Sequence, residues 1–149
     1  MLPQPRILAL LLCLPVAGAA MPAVAGDLVA GPVAARLLRV IDGDTIEAEA
    51  LIWPGHSVKV AIRIRGIDAP ELRGGCEAEK VAALAARDML ARFLAAGTLE
   101  VRNIGADKYF GRVVADIAAP DGADIGGLLL AHEVARAYDG GGRQSFCSS

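Results

Sequence analysis

Residues Val58 to Glu71 read V-K-V-A-I-R-I-R-G-I-D-A-P-E. Val58, Val60, Ile62 and Ile64 alternate with Lys59, Ala61, Arg63 and Arg65. Period-two alternation of β-branched residues predicts a half-buried strand with the arginines on its polar face. Gly66 and Pro70 end the strand and turn the chain, and Asp68 and Glu71 lie in that turn. Acid and guanidinium are thus brought together where a rigid strand gives way to a loop, a common place for a site. A solvated surface loop with no task remains the alternative at this point.

The chain has 149 residues, 54% of them hydrophobic, enough for one domain with one core. Part of that apolar content lies in a leader. Arg6 precedes the apolar run Ile7 to Val16, and Ala23-Val24-Ala25 supplies a small-residue cleavage signal. This pattern predicts a secretory signal peptide over residues 1–25 and an exported mature chain, periplasmic or secreted, with no stable membrane association after cleavage. The apolar run is too short to span a bilayer. The formal charge of −2 announces no polyanion partner. Lysine occurs only at positions 59, 80 and 108, so the cations are mostly arginine, whose planar fork suits phosphate. After cleavage Cys76 and Cys147 remain, an even pair and a disulfide candidate, with two free thiols as the alternative. A bridge would close a loop of about seventy residues and contribute about 4 kcal/mol in the chain-entropy model.

Outward from the opening stretch, residues 26–34 form a small-residue lead-in read as loosely ordered. Ala35 to Val40 and Thr45 to Leu51 read as strands one and two, with Val58 to Arg65 as strand three. Cys76 to Ala96 shifts to helical period, with Val81, Leu84, Ala85, Ala86, Met89, Leu90 and Phe93 as the expected buried stripe and Gly97 past the end. Leu99 to Asn103 and Gly111 to Ala119 read as strands four and five, separated by a polar loop from Ile104 to Phe110. Ile125 to Glu133 reads as a short helix, and Tyr138 to Ser149 as an irregular glycine-rich tail. Five short strands with a helix between the third and fourth predict an α+β chain built on an OB-fold, the five-stranded Greek-key β-barrel. The expected division is signal peptide 1–25, lead-in 26–34, barrel domain 35–138 and tail 139–149.

Asp42, Asp44, Asp68 and Glu71 all fall at strand-to-loop junctions. Asp44 shares parity with Ile46 and Ala48, so its carboxylate points toward the barrel and must be paired or at an open mouth. Hard oxygen donors suit Ca²⁺ or Mg²⁺, and His56 and His132 are isolated. Arg63 and Arg112 occupy polar-face positions on strands three and five. Carboxylates for a metal, one able to activate water, and two guanidiniums for phosphate are the parts of metal-assisted phosphodiester hydrolysis. A structural salt-bridge network would use the same residues.

The segments Ile41-Asp42-Gly43-Asp44-Thr45, Arg63-Ile64-Arg65-Gly66-Ile67-Asp68-Ala69-Pro70-Glu71 and Asp107-Lys108-Tyr109-Phe110-Gly111-Arg112 resemble, in order, the motifs of the thermonuclease, or staphylococcal-nuclease-like, family. The resemblance runs from about Ala35 to Tyr138. It implies a Ca²⁺-dependent nuclease acting on DNA and RNA, and it implies no particular protein partner. It places Asp44, Asp68 and the Ala69 carbonyl on the metal, Glu71 as general base, and Arg63 and Arg112 on the pentacoordinate phosphorane. Asp42 would support the metal loop, Lys108 and Tyr109 would contact substrate, and Tyr138 would stack near a base. Phe110 is an extra residue in the third motif, which leaves its register open. The loop Leu72 to Gly75 is short, and the chain stops soon after Tyr138 without the prototype's last helix. Its tail, Y-D-G-G-G-R-x-x-x-C, is similar to that of shorter bacterial members, where a Cys76–Cys147 bridge would replace the helix as anchor. The rival reading is a catalytically silent OB-type binding module that has lost part of the acid–arginine set; this chain keeps all of it.

Overall fold

The structure, a computed structural model, describes residues 28–147, so the expected leader lies outside the described residues. In chain order the elements are β1 (Val33–Val40), β2 (Thr45–Trp53), β3 (His56–Ile64), β4 (Ile67–Asp68), α1 (Glu77–Phe93), β5 (Thr98–Ala106), β6 (Arg112–Ala118), α2 (Ile125–Ala131) and β7 (Arg136–Ala137). Five strands close a barrel in the order β1-β2-β3-β6-β5, and β5 returns to pair with β1. Only β3 and β6 run parallel; the other barrel pairs are antiparallel. This is the order of an OB-type barrel.

The alternation read in the sequence sets the inside of that barrel. Ile62 and Ile64 of β3 point inward with Ile46 and Ala48 of β2, Val101 of β5, and Ala115 and Ile117 of β6, all buried. Pro54-Gly55 turns β2 into β3, where Trp53 pairs with His56 and Gly55 supplies the positive φ of 78° that the turn needs.

Helix α1 packs differently from the expected stripe. Its buried residues are Glu79, Ala83, Ala86 and Leu90, and Leu94 follows just past its end. Val81 and Leu84, expected inside, are exposed. The alanine methyls explain the choice: a small-residue face lets the helix approach the barrel closely, and larger side chains there would hold it off. Gly43 shows how close that approach is, because a Cβ there would lie 2.6 Å from the Ala86 Cβ and 2.7 Å from the Ala69 Cβ. Acids in the first turn, Glu77 and Glu79, suit the helix dipole.

Three further expectations change. The lead-in is tied to the barrel, since Val29 exchanges backbone hydrogen bonds with Ile104 and β1 begins at Val33. β5 extends to Ala106 through a bulge between Arg102 and Gly105, shortening the expected loop. The two-residue strands β4 and β7, too short to carry a period, pair with each other. They bring Tyr138 under Gly66, whose carbonyl accepts from the Tyr138 N–H. Cys76 and Cys147 form a disulfide with Cα atoms 6.0 Å apart. Among the described residues no helix is long and apolar enough to cross a membrane.

Candidate active site

Register builds the first half of the site. Thr45 of β2 lies opposite Arg63 of β3, so Asp44, one residue before the strand, is within reach of the Arg63 guanidinium. Arg63 Nη1 donates to Asp44 Oδ1 at 3.0 Å, and its Nη2 lies 3.0 Å from Asp44 Oδ2. The same Nη2 donates to Asp68 Oδ1 at 3.1 Å. The Asp44 carboxylate also accepts from Thr45 Oγ1 and from the Ala69 N–H. Asp42 stands behind the turn and accepts from the Asp44 N–H at 3.1 Å. Asp44 is 3% exposed and Asp68 6%; both are paired, and Asp44 does not face an open mouth. Burial is the main force pushing the Asp44 carboxyl up to about 6; Arg63 pulls against it and the charge of Asp42 adds to it.

Arg65, next on the same face, turns elsewhere. It donates to the Asn103 and Val114 carbonyls at 2.6 and 2.9 Å and holds the bulged end of β5 against β6. The two arginines of the opening stretch therefore have different work, one at the acids and one on the barrel wall.

The loop that carries Glu71 is held by Glu79. This buried carboxylate accepts from the Glu71 N–H at 3.3 Å and the Gly75 N–H at 3.1 Å, stapling the short Leu72–Gly75 loop to α1. A second contact was not foreseen at all. Arg143, in the tail, spreads its guanidinium over Asp68 Oδ2 at 3.0 Å, the Ala69 carbonyl at 2.6 Å and Glu71 Oε1. The signal for it lay in the spacing of the tail. Cys147 follows Arg143 by four residues and Cys76 follows Glu71 by five, so a bridge between the cysteines draws Arg143 toward the acids.

The third motif forms the opposite wall. Arg112 begins β6 two residues before Val114, which lies opposite Arg63 in the parallel pair. Its Nε donates to Asp107 Oδ2 at 2.5 Å, and its guanidinium lies 4.7 Å from the Tyr109 ring centre. Lys108 Nζ lies 5.1 Å from the same ring. The added Phe110 is absorbed in the turn: the Arg112 N–H reaches the Tyr109 carbonyl, Gly111 takes φ 80°, and Phe110 projects fully into solvent. Burial pushes the Asp107 carboxyl up, but Arg112 and the Lys108 and Tyr109 N–H groups outweigh it and hold it below its ordinary value. Tyr138 lies 5.9 Å below the Arg63 guanidinium.

Between these walls is a cleft of about 900 Å³, lined among others by Arg63, Asp68, Glu71, Lys108, Tyr109 and Arg112. Asp44 and the Ala69 carbonyl sit behind this lining, under the Arg63 and Arg143 guanidiniums. The donor set fits a hard divalent cation on two counts. Every candidate ligand is an oxygen, and the Arg143 guanidinium already stands as a cation on two of them, Asp68 and the Ala69 carbonyl, with Glu71 beside them. Cys76, Glu79 and Cys147 also lie together, but sulfurs joined in a disulfide offer no thiolate to a metal.

Comparison with known proteins bears on this cleft directly. The family model described as "Staphylococcal nuclease homologue" matches residues 61–145, more than half of the chain, a span that holds Arg63, Asp68, Ala69, Glu71, Asp107, Arg112 and Arg143. The chain belongs to this family. It is 31% identical over 104 residues to a protein of Escherichia coli described as an uncharacterized endonuclease, and equally to its counterpart in Escherichia coli O157:H7. The match covers 70% of this chain and 60% of each relative, so the chain spans about 60% of the length of these curated relatives.

Proposed function

We propose that this staphylococcal nuclease homologue is an exported, calcium-dependent nuclease that hydrolyses phosphodiester bonds of DNA and RNA with no preference for the sugar. The observation that carries the reading is the convergence of Asp44, Asp68, the Ala69 carbonyl and Glu71 with Arg63 on one side of a cleft whose other side holds Arg112. Asp44, Asp68 and Ala69 O would hold the ion. Bound there, calcium supplies Lewis-acid polarisation of a phosphate oxygen.

The chain's own residues supply the rest. Glu71, half exposed at the cleft, takes a proton from the water whose oxygen forms the new bond to phosphorus. As that bond forms, negative charge grows on the non-bridging oxygens of the pentacoordinate phosphorus, and Arg63 and Arg112 donate hydrogen bonds to them; as the bond to the leaving oxygen breaks, its electron pair goes to that oxygen. Interactions that strengthen with that charge lower the barrier. A guanidinium keeps its protons at working pH, so water protonates the leaving oxygen. Lys108 and Tyr109 meet a neighbouring phosphate and sugar, and Tyr138 offers a ring to a base. Export, to the periplasm or the medium, is the part of the proposal supported by the expected signal peptide over residues 1–25 and by a disulfide, a bond of oxidising compartments.

The test is to incubate the mature, oxidised protein with single-stranded DNA and with RNA in calcium, then in excess chelator. Cleavage of both, stopped by the chelator, is expected. Binding of either polymer without cleavage in any divalent ion would replace this reading with the silent OB-type module.

A further inference from the structure

Arg143 satisfies no structural need that its neighbours leave open. Glu79 already staples the Glu71 loop, and the disulfide already anchors the tail. What Arg143 does is engage, through three different nitrogens, the Asp68 carboxylate, the Ala69 carbonyl and the Glu71 carboxylate. Two of these belong to the ligand set assigned above, and the third is the assigned base. Burial opposes the Arg143 charge, but Glu71 and Asp68 more than offset that cost and hold its pKa above the ordinary value.

We propose that Arg143 is a tethered internal cation that competes with the divalent metal for Asp68 and Ala69 O, and that the Cys76–Cys147 bridge sets the strength of that competition. The inference rests on the metal reading of the acids. A guanidinium and a divalent ion on the same oxygens repel each other, so each must weaken the other's hold. The tail is built to let Arg143 go without losing it. Gly140, Gly141 and Gly142 precede it, a run of high backbone freedom tied at Gly141, whose carbonyl accepts from the Tyr138 hydroxyl at 2.9 Å and whose N–H donates to Asp139 Oδ1 at 3.0 Å; these two exposed contacts are what a swing would break. Beyond it the chain is held. Arg136 donates to the Ser145 carbonyl at 2.9 Å and stacks 4.1 Å over the Phe146 ring, and Cys147 is bonded to Cys76. Four residues from that bond, Arg143 cannot move more than about 14 Å away. A ligand so confined has a high effective concentration at the acids.

The test is calcium titration by calorimetry on the mature, oxidised protein without nucleic acid. The variants are Arg143→Gln, Arg143→Lys and the double variant Cys76→Ser/Cys147→Ser, each checked for fold by circular dichroism. Arg143→Gln should bind calcium about tenfold tighter or more, the worth of a charge-assisted contact removed from the competing state. Arg143→Lys should lie between it and the parent. The untied double variant should tighten in the same direction by a smaller factor. By reciprocity, saturating calcium should raise amide hydrogen exchange over residues 139–147 of the parent protein. Unchanged or weakened calcium binding in folded Arg143→Gln overturns the inference, as does absence of calcium binding in every variant. A purely structural Arg143 would give the weakened result, because its loss would loosen the acid loop. The nuclease reading fails separately, by tight metal binding without cleavage.

Discussion

Asp44, just behind one wall of the cleft, and Asp107, on the other, are both carboxylates with little side-chain exposure bonded to an arginine, and their acidities move in opposite directions. Asp107 has Arg112 to itself and two backbone N–H groups besides, and its carboxyl is held low. Asp44 is driven up chiefly by burial; Arg63, which also serves Asp68, does not offset that cost, and the charge of Asp42 adds to it. Around Asp44 four carboxylates (Asp42, Asp44, Asp68 and Glu71) face two guanidiniums, Arg63 and Arg143, leaving an excess of two negative charges. Around Asp107 one carboxylate faces Lys108 and Arg112, leaving an excess of one positive charge. One wall is short of a divalent cation and the other of an anion. A cleft so divided suits a metal on one side and a phosphodiester on the other.

The comparison breaks most visibly at Glu71. Glu71→Gln removes the base while keeping the loop staple from Glu79, and turnover at saturating calcium should fall by about 10²- to 10⁴-fold. Calcium binding should persist. Undiminished turnover would remove Glu71 from the chemistry. On the opposite wall, Arg112→Ala should cost about 10²- to 10³-fold in turnover. It also leaves Asp107 buried without its partner, so chemical denaturation should show a loss of about 1–3 kcal/mol. A change in KM alone would make Arg112 a binding residue, not one that acts in the transition state.

Proton linkage sharpens the contrast between the walls. For Asp44 the folded value lies above the unfolded one, so the folded metal-free protein binds more protons between about pH 4 and pH 6. Stability from this group is full below that window and falls as pH rises through it. For Asp107 the folded value is depressed, so its contribution is present above the ordinary carboxylate range and is lost as pH falls below it. Asp44→Asn should flatten the first trend, and Asp107→Asn the second, in melts of chelator-treated protein across pH. Identical pH profiles for the two variants would contradict the assignment of opposite shifts. The smallest effect is expected at Phe110. Fully exposed in the turn, its replacement by alanine should change turnover less than about twofold, since surface substitutions away from special contacts cost little. A KM increase of tenfold would instead make it part of the substrate surface.

The difference between what was legible and what was not follows the range of the signal. The alternation from Val58 to Ile64 set β3, its inward face and the placement of Arg63, and the parity of Asp44 with Ile46 set its inward carboxylate. These are local periodicities, and they survive where the strand meets the core, from Val60 to Ile64; Val58, expected on the buried face, lies exposed near the β2–β3 turn. The third motif had no period and was legible only through its resemblance, with the register left open by Phe110, which the turn absorbs with Gly111 at positive φ. What escaped has no period. β4 and β7 have two residues each. The buried face of α1 was misread because alanines, not Val81 and Leu84, meet the barrel. Arg143 reaches residues more than seventy positions away across an irregular tail. Only the cysteine spacing pointed there, and spacing names a neighbourhood without naming a contact.

The central claim is that the acid–arginine corner where β3 meets β4 performs metal-dependent hydrolysis. Its most direct test compares the parent protein with Arg63→Ala on single-stranded DNA, both at saturating calcium and both followed into chelator. The account predicts calcium-dependent cleavage by the parent, stopped by chelator, and a loss of about 10²-fold or more in Arg63→Ala with calcium still bound. Equal cleavage by the two proteins would contradict it.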